Sequence, residues 1–524
     1  MTVGGNPSVG TRLPAAVTAH RSILSRWGVL IGLTGAVGVV LRVWVYRSQQ
    51  GTPNSDEAIV GLMVRHILHG QLTTFYWGQP YGGSQEALLT APIFLIAGSG
   101  WLALRIVPIL LNALAALLVW RVGRRTIGEP AARVAGALFW IWPAFNVFYL
   151  VHQFDFYASD VVYCALLLLL ALRVTERPDR LRVGAFGLAL GLAFWQTSQI
   201  VPVAVPMIVW VIWREPRALR QLPVAVSLAL LGALPWLIWN AGHGWQSLSQ
   251  TGLGDYLRSL RLLASPTLPM MVGLRAPYSA QLLVPSAAAY LIYAALVLLF
   301  VYTGVNQRKR TRSLLYFVVA VFPFVFALSP KTLAALGRPR YITVLTPLLV
   351  LLVAQVATRY WRAVALIAVA TLVSVVTLHR MNVWFNGVPG TTTNARGLGP
   401  RHAVQWVPRN IDSLISALER LKLGHVYADY WLAYRLDFDS RERIVAVENA
   451  FRHVTYKHGQ AIPTADPLAR SPVYQRKVER ARHGFVFYRQ TVGTVPIVGS
   501  LIRHGYRRYT FGEYVVYAPS ATTR

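Results

Sequence analysis

Cysteine is nearly missing from this chain: Cys164 is the single one in 524 residues, and it sits inside the apolar run VVYCALLLLLAL. That excludes an intrachain disulfide, a cysteine-built zinc site and a thiol framework. Acidic side chains are the next scarcity. Asp and Glu number 20 against 51 Lys and Arg, and charged residues make up only 14% of the chain. With 55% hydrophobic residues and a mean hydropathy of +0.44, the chain holds more apolar surface than a soluble domain of this length can bury. An ordinary soluble enzyme is excluded. The basic excess is not a nucleic-acid footprint, because the bases mostly flank apolar runs, so no nucleic-acid partner is expected. No fixed-period repeat is present.

What fills the chain is a series of apolar segments near the roughly 20 residues needed to cross a bilayer core of about 30 Å. They fall near residues 28–46, 102–120, 134–151, 159–172, 183–198, 200–213, 222–240, 284–304, 313–329, 341–357 and 363–379, which gives about 11 expected transmembrane helices. Alternate threading from an inside N-terminus gathers Arg121, Arg124, Arg125 and Arg133 on one side, with Arg173, Arg177, Arg180 and Arg182 beside them. The short loops of the other side hold few bases, so the positive-inside rule makes the first side cytoplasmic. WGVLIGLTGAVGVVLRVWVY is too long, and lacks a small-residue cleavage site, to be a removed signal peptide; it reads as the first span.

The expected class is therefore an all-α polytopic membrane protein with a small C-terminal extracytoplasmic α/β domain. Residues 1–27 form a cytoplasmic N-terminus, 28–379 the transmembrane domain with an external loop at 47–100, and 380–524 the tail domain. In that tail NIDSLISALERLKL has helical periodicity, while HVYADYW, RIVAV, GFVFY and YVVY read as strands. Its Tyr427, Asp429, Tyr430 and Trp431 suit either stacking on carbohydrate or ordinary strand packing. The plasma membrane is the expected location, with membrane lipids as surroundings.

Few acids remain in the first 379 residues, and their placement is one-sided. Glu129, Glu176, Asp179 and Glu215 lie in the basic loops as solvated charge partners. Asp56, Glu57, Glu86, Asp155, Asp160 and Asp255 fall at the external mouth or just inside it. An ionisable group at the hydrocarbon centre costs roughly 2.5 to 3.5 kcal/mol on insertion scales, so acids kept near that depth imply a polar cavity. Ser55 is the expected N-cap of a membrane-surface helix whose first turn holds Asp56 and Glu57, where the helix dipole favours anions. Simple capping is the alternative role for that pair. Gln79, Tyr81, Gly82, Gly83, Ser84 and Glu86 form a polar turn, with a glycine pair that permits close backbone approach. His66, His69, His152 and His243 show no metal-ligand spacing, so neither a metal nor another cofactor is expected.

Taken in order, the first span, the external Asp-Glu pair, YWGQPYGGSQEALLTAP, WLALRIVPILLNALAALLVWRVGRR, GLAFWQTSQIVPVAVP, GALPWLIWN and GRPRYITVLTPLL resemble the GT-C glycosyltransferases. More narrowly, the chain resembles glycosyltransferase family 39 and its bacterial relatives, which include protein O-mannosyltransferases and the lipid A aminoarabinose transferase. The resemblance covers about the first 380 residues. One departure stands out. The His-Pro-Pro or Lys-Pro-Pro phrase of many relatives is replaced by Gly82, Gly83, Ser84 and Gln85, which bears on donor or acceptor choice.

The resemblance implies an inverting transferase that moves a sugar, mannose or a pentose among the candidates, from a polyprenyl-phosphate carrier to an acceptor hydroxyl on a glycan, lipid or protein of the cell envelope. Asp56, matching the first acid of the family pair, is the expected general base, and Glu57, Glu86, Asp155 and Asp160 are expected to orient acceptor or donor. Lys331, Arg338 and Arg340 are the expected phosphate ligands; interfacial anchoring is the other role open to each. Tyr81, Trp195, Gln196 and Gln199 could line the sugar cavity or simply pack. Two competing classes remain at this point: a lipid or glycolipid transporter or flippase, and a non-catalytic envelope assembly factor.

Overall fold

The computed structural model describes residues 15–248, 255–275, 282–306, 310–329, 339–385, 408–449, 451, 453–457, 460–464 and 469–520. Each expected apolar segment is helical. In chain order the first eleven helices are α1 (Ala15–Arg47), α2 (Ser55–Leu68), α3 (Gln85–Ala97), α4 (Trp101–Thr126), α5 (Glu129–Ile141), α6 (Ala144–Tyr149), α7 (Tyr157–Glu176), α8 (Arg180–Gln196), α9 (Val201–Arg214), α10 (Leu222–Gly232) and α11 (Leu234–Gly242). Apolar helices Ser286–Val305, Ser313–Phe326, Thr346–Ala354 and Tyr360–Phe385 follow.

Among the described residues, five helices are long and apolar enough to cross a bilayer alone, and the α10–α11 pair, bent by 63°, makes a sixth as one broken span. Helix length thus supports six of the eleven expected spans, and the shorter apolar helices Ser198–Arg214, Ser313–Phe326 and Arg340–Ala354 coincide with three more. The expected span at 134–151 is divided between α5 and α6, with Pro143 as the N-cap of α6. Proline cannot donate the backbone N–H that a continuous helix would need there.

The helices pack through small residues where they approach most closely. A Cβ on Gly191 of α8 would lie 2.0 Å from the Ala229 carbonyl of α10, and one on Gly187 would lie 2.2 Å from the Ala225 carbonyl. Such contacts let backbones meet without side chains between them, the usual means of helix association in lipid.

The C-terminal α/β unit starts with helix Asp412–Arg420 and builds a five-stranded sheet in the order β2-β1-β5-β7-β6. Its strands are β1 (His425–Ala428), β2 (Val445–Glu448), β5 (Gly484–Tyr488), β6 (Tyr506–Phe511) and β7 (Tyr514–Pro519), while β3 (Val454–Lys457) and β4 (Gln460–Pro463) form a separate hairpin. β1 runs parallel to both β2 and β5, and β7 is antiparallel to β5 and β6. The strand expected through HVYADYW stops at Ala428. The Asp429 carboxylate accepts the Trp431 amide at 2.9 Å and starts helix Tyr430–Asp439, so Tyr430 and Trp431 are helical.

This unit shares one hydrophobic core with α2, α3 and the start of α4. Ile59, Leu62 and Met63 of α2 are buried with Leu432, Leu436 and Phe438. The helix expected to lie on the membrane surface is instead covered on nearly every side, with Val60 and Val64 also buried. Gly61 makes the contact possible, since a Cβ there would lie 2.4 Å from the Phe438 ring. α2 runs parallel to Tyr430–Asp439: Asp56 meets Tyr430 at one end, and His66 meets Glu442 just beyond the other.

Candidate active site

The start of α2 sets the geometry. Asn54, not Ser55, is its N-cap, accepting the Glu57 amide at 3.2 Å. Adjacent residues on a helix point about 100° apart, and the two acids accordingly face different surroundings.

Glu57 turns inward. Its carboxylate accepts two hydrogen bonds from the Arg105 guanidinium, at 2.7 and 2.5 Å, and the Gln153 amide at 3.1 Å. His152 Nδ1 lies 3.1 Å from the same carboxylate, and its Nε2 meets the Gln50 carbonyl at 3.0 Å. Burial alone would raise the Glu57 pKa, but Arg105 and then His152 outweigh it and hold it at about 2. Bidentate pairing of this kind is strongly directional. Glu57 thus locks the base of α2 to α4 and to the 151–156 loop.

Asp56 faces the other way, toward a cluster of aromatic and cationic side chains, and stays about a quarter exposed (23%). Its Oδ1 accepts the Tyr430 hydroxyl at 2.5 Å, and its backbone carbonyl accepts the Tyr76 hydroxyl at 3.2 Å. A terminal nitrogen of Arg340 sits 3.9 Å from Oδ2. Burial, followed by Asp56, pushes the Tyr430 pKa well above its ordinary value, so the phenol stays protonated as a donor. Arg340 donates to the Tyr341 hydroxyl at 3.0 Å, and its guanidinium carbon is 4.9 Å from the Tyr341 ring centre and 6.0 Å from that of Tyr157. Arg470, from the C-terminal unit, lies 5.7 Å from the ring centres of both Tyr76 and Tyr430. Tyr81 is 39% exposed and belongs to the same electrostatic neighbourhood as Asp56, Arg340 and Arg470.

Glu86, Asp155 and Asp160 lie deeper. Glu86 accepts both the amide and the hydroxyl of Ser159 at 2.8 Å, which ties α3 to the start of α7. Asp155 is buried, has φ 65°, and carries an Oδ2 with no hydrogen-bond partner among the described residues. A non-glycine residue in that backbone region is uncommon and marks a constrained position. Burial, then Glu86, Asp160 and Asp56, pushes its pKa well above the usual carboxylate range. Asp160 is buried on α7, both oxygens likewise without partners. Asp255 is remote in role, capping helix Tyr256–Leu262 through the Arg258 amide at 3.1 Å.

The glycine pair lets these layers meet. A Cβ on Gly82, whose φ is 76°, would lie 2.4 Å from Asp155 Oδ2, and one on Gly83 would lie 2.8 Å from the Gln196 backbone. Trp195 and Gln196 are taken up by this loop. The Trp195 indole donates to the Thr74 carbonyl at 3.0 Å, and the Gln196 carbonyl accepts the Gly83 amide at 2.7 Å. Gln199 donates its amide to the Thr197 hydroxyl at 3.1 Å as part of the turn after α8.

The fold therefore brings Asp56, Arg340 and Tyr81 together, with Asp155 beneath them, and sets Glu57 to a separate structural task. Lys331 and Arg338 lie outside the described residues. Sequence reasoning passed over Tyr76, Tyr157, Tyr341 and above all Arg470, and named Tyr430 only for carbohydrate stacking or strand packing; the part of Arg470 and Tyr430 depends on how the C-terminal unit docks. No group of three His, Cys, Asp or Glu side chains among the described residues is arranged to hold a metal ion.

Residues 86–239 match the family of dolichyl-phosphate-mannose-protein mannosyltransferases, a stretch that begins after Asp56 and ends before Arg340. No curated protein sequence matches the chain significantly. Among solved structures, ArnT from Cupriavidus metallidurans bound to undecaprenyl phosphate aligns with TM-score 0.56 at 16% identity, covering 94% of this chain and 98% of that one. The apo state of the same protein gives the same values. The Archaeoglobus fulgidus oligosaccharyltransferase, in complex with zinc and sulfate, aligns at TM-score 0.49 and 13% identity over 94% of this chain and 73% of that one. The fold is thus ArnT-like, and the chain resembles the GT-C glycosyltransferases in both family match and architecture.

Proposed function

We propose that this protein is an inverting glycosyltransferase that moves a sugar from a polyprenyl-phosphate carrier to an acceptor hydroxyl at the extracytoplasmic face of the membrane. One observation carries the reading: the Asp56 carboxylate and the Arg340 guanidinium, each about a quarter exposed, stand 3.9 Å apart where the membrane helices meet the C-terminal unit. The undecaprenyl phosphate bound to the structurally similar ArnT supports the choice of carrier.

An alcohol is a poor nucleophile, so a carboxylate in hydrogen-bond reach accelerates its attack by typically 10² to 10⁴-fold. In this reading Asp56 accepts the acceptor hydroxyl's proton as the new C–O bond forms at the anomeric carbon. The bond from that carbon to the phosphate oxygen breaks with its electron pair, and the carrier leaves as polyprenyl phosphate. Base and leaving group must flank the anomeric carbon from opposite sides. Arg340 therefore exchanges its contact with Asp56 for the phosphate when the donor enters. A guanidinium suits that task, with a planar fork matched to phosphate oxygens, and fixed charge acts most strongly where water is scarce. Asp155 and Asp160 would receive sugar or acceptor hydroxyls, and Glu86 and Glu57 hold the loops that present them.

The test uses the full chain in lipid nanodiscs with radiolabelled polyprenyl-phosphate mannose, polyprenyl-phosphate arabinose and a panel of hydroxyl acceptors. Release of polyprenyl phosphate with label in the acceptor is expected, and its loss in Asp56→Asn at unchanged thermal stability. Wild-type turnover in Asp56→Asn would overturn the base assignment; carrier translocation without transfer would overturn the reading as a whole.

A further inference from the structure

Resting on that reading, we infer that the C-terminal unit is a working part of the active site, with Tyr430 and Arg470 as positioning residues that bracket Asp56. Two tyrosine hydroxyls hold Asp56: Tyr430 at its Oδ1 and Tyr76 at its backbone carbonyl, 2.5 and 3.2 Å away. They come from different parts of the chain, one from helix Tyr430–Asp439 and the other from the loop before α3. Arg470 joins them, its guanidinium carbon 5.7 Å from each ring centre.

Its anchorage on both sides fits that task. The guanidinium donates to Gln79 Oε1 at 3.0 Å, beside Tyr76 in the loop, while its backbone amide donates to the Tyr434 hydroxyl at 2.8 Å and to Glu448 at 3.1 Å in the C-terminal unit. Gly78 permits the approach, since a Cβ there would lie 2.4 Å from the Arg470 Cα. One arginine thus staples the loop to the unit and packs near both phenol rings, the one that bonds the Asp56 carboxylate and the one that bonds its backbone carbonyl. A cation within about 6 Å of a ring centre is attracted to the face of the ring.

The bracket supplies what a carboxylate at the end of a helix lacks. A partly exposed aspartate samples several rotamers, and an approach misplaced by about 1 Å can cost of the order of 100-fold in rate. With Tyr430 on Oδ1, Oδ2 is the oxygen left to meet the acceptor once Arg340 turns to the phosphate. Docking of the C-terminal unit and readiness of the base are then one event.

The experiment uses full-length protein in nanodiscs and reads kcat, donor KM, thermal unfolding and hydrogen exchange. Tyr430→Phe and Arg470→Met should each lower kcat roughly 10- to 100-fold while donor KM changes less than about threefold, the split expected when an interaction serves the transition state. Arg470→Lys, which keeps the charge but not the planar fork, should recover part of the loss. Independently of turnover, Arg470→Met should speed amide exchange in residues 73–84 and leave α4 unchanged. Wild-type kcat in both variants, a kcat loss matched by a loss of folded protein, or unaltered exchange at 73–84 would each overturn the bracket. Absence of transfer by the wild type would instead overturn the functional reading, and the exchange measurement would still decide this one.

Discussion

Far apart in the sequence, Asp56 and Arg340 meet with an oxygen of the first 3.9 Å from a terminal nitrogen of the second. Asp56 begins α2 and Arg340 sits in the short turn Pro339–Leu345 ahead of helix Thr346–Ala354. Neither has any local reason to find the other. Their meeting puts a carboxylate and a guanidinium in one partly exposed cluster, and the proposed transfer assigns the first to the acceptor hydroxyl and the second to the carrier phosphate, on opposite sides of the anomeric carbon.

Arg340 should therefore act on the donor. Arg340→Gln is expected to reduce kcat/KM for a polyprenyl-phosphate sugar by about 10²- to 10³-fold, the range seen when one stabilising donor is removed from a developing anion. Arg340→Lys should recover little, because a single ammonium cannot reproduce the fork. Steady-state kinetics with varied donor checks both. Equal activity in all three proteins would place the phosphate elsewhere.

Glu57 should behave as a structural residue. Glu57→Gln leaves Arg105 buried without its counter-charge, and breaking a buried pair from one side costs about 3 to 5 kcal/mol. The expected result is a large fall in unfolding midpoint. Replacing both partners with methionine should be milder, because no charge is then stranded. A loss of turnover in Glu57→Gln at undiminished stability would give this residue a chemical role instead.

Gly61 should report on docking. In Gly61→Ala the new methyl would fall 2.4 Å from the Phe438 ring, so Phe438 or the helix carrying it must shift. Overpacking of a close contact costs typically 1 to 3 kcal/mol. Limited proteolysis should cut the C-terminal unit faster in this variant, while α4 and α7 stay protected. The same digestion pattern as wild type would mean the contact yields without cost.

The far end of the same interface should respond to pH. His66 Nε2 is 2.9 Å from Glu442, and Tyr474 also donates to that carboxylate. The hydrogen bond to Glu442 raises the His66 pKa above its ordinary 6.5. Glu442 is pulled up by burial, but His66 and Tyr474 prevail and set it below 4.5. The histidine's contribution is complete below about 6.5 and disappears as pH rises through its elevated value; the carboxylate's is complete above about 4.5 and disappears as pH falls through its lowered value. Docking should be firmest in mildly acidic solution and weaken on both sides. Proteolytic release of the unit against pH should follow that profile, and His66→Phe should remove the alkaline limb.

Much of this was legible in the residues. The apolar segments appear as helices because hydropathy and 3.6-residue periodicity act over neighbours only. The family likeness, the strands at RIVAV, GFVFY and YVVY, and the separation of Asp56 from Glu57 around a helix axis were equally local. Where local signals competed, the reading slipped: Asn54 and Ser55 are both good caps, and Asn54 serves. Asp429 ended a strand that alternation alone would have continued.

The sequence by itself determined a helix-rich, membrane-embedded chain, its short supply of carboxylates and the residue types capable of this chemistry. Tertiary structure alone decided which of them meet. α2 looks amphipathic because one side is strongly apolar, yet it is buried on nearly all sides, between α3, α4 and a unit that begins about 350 residues later. Arg470 carried no signal in its own neighbourhood, for a guanidinium acquires meaning only from the rings and carboxylates that packing brings around it. Contacts between distant segments are set by the summed burial of whole faces, and no window of adjacent residues contains that sum.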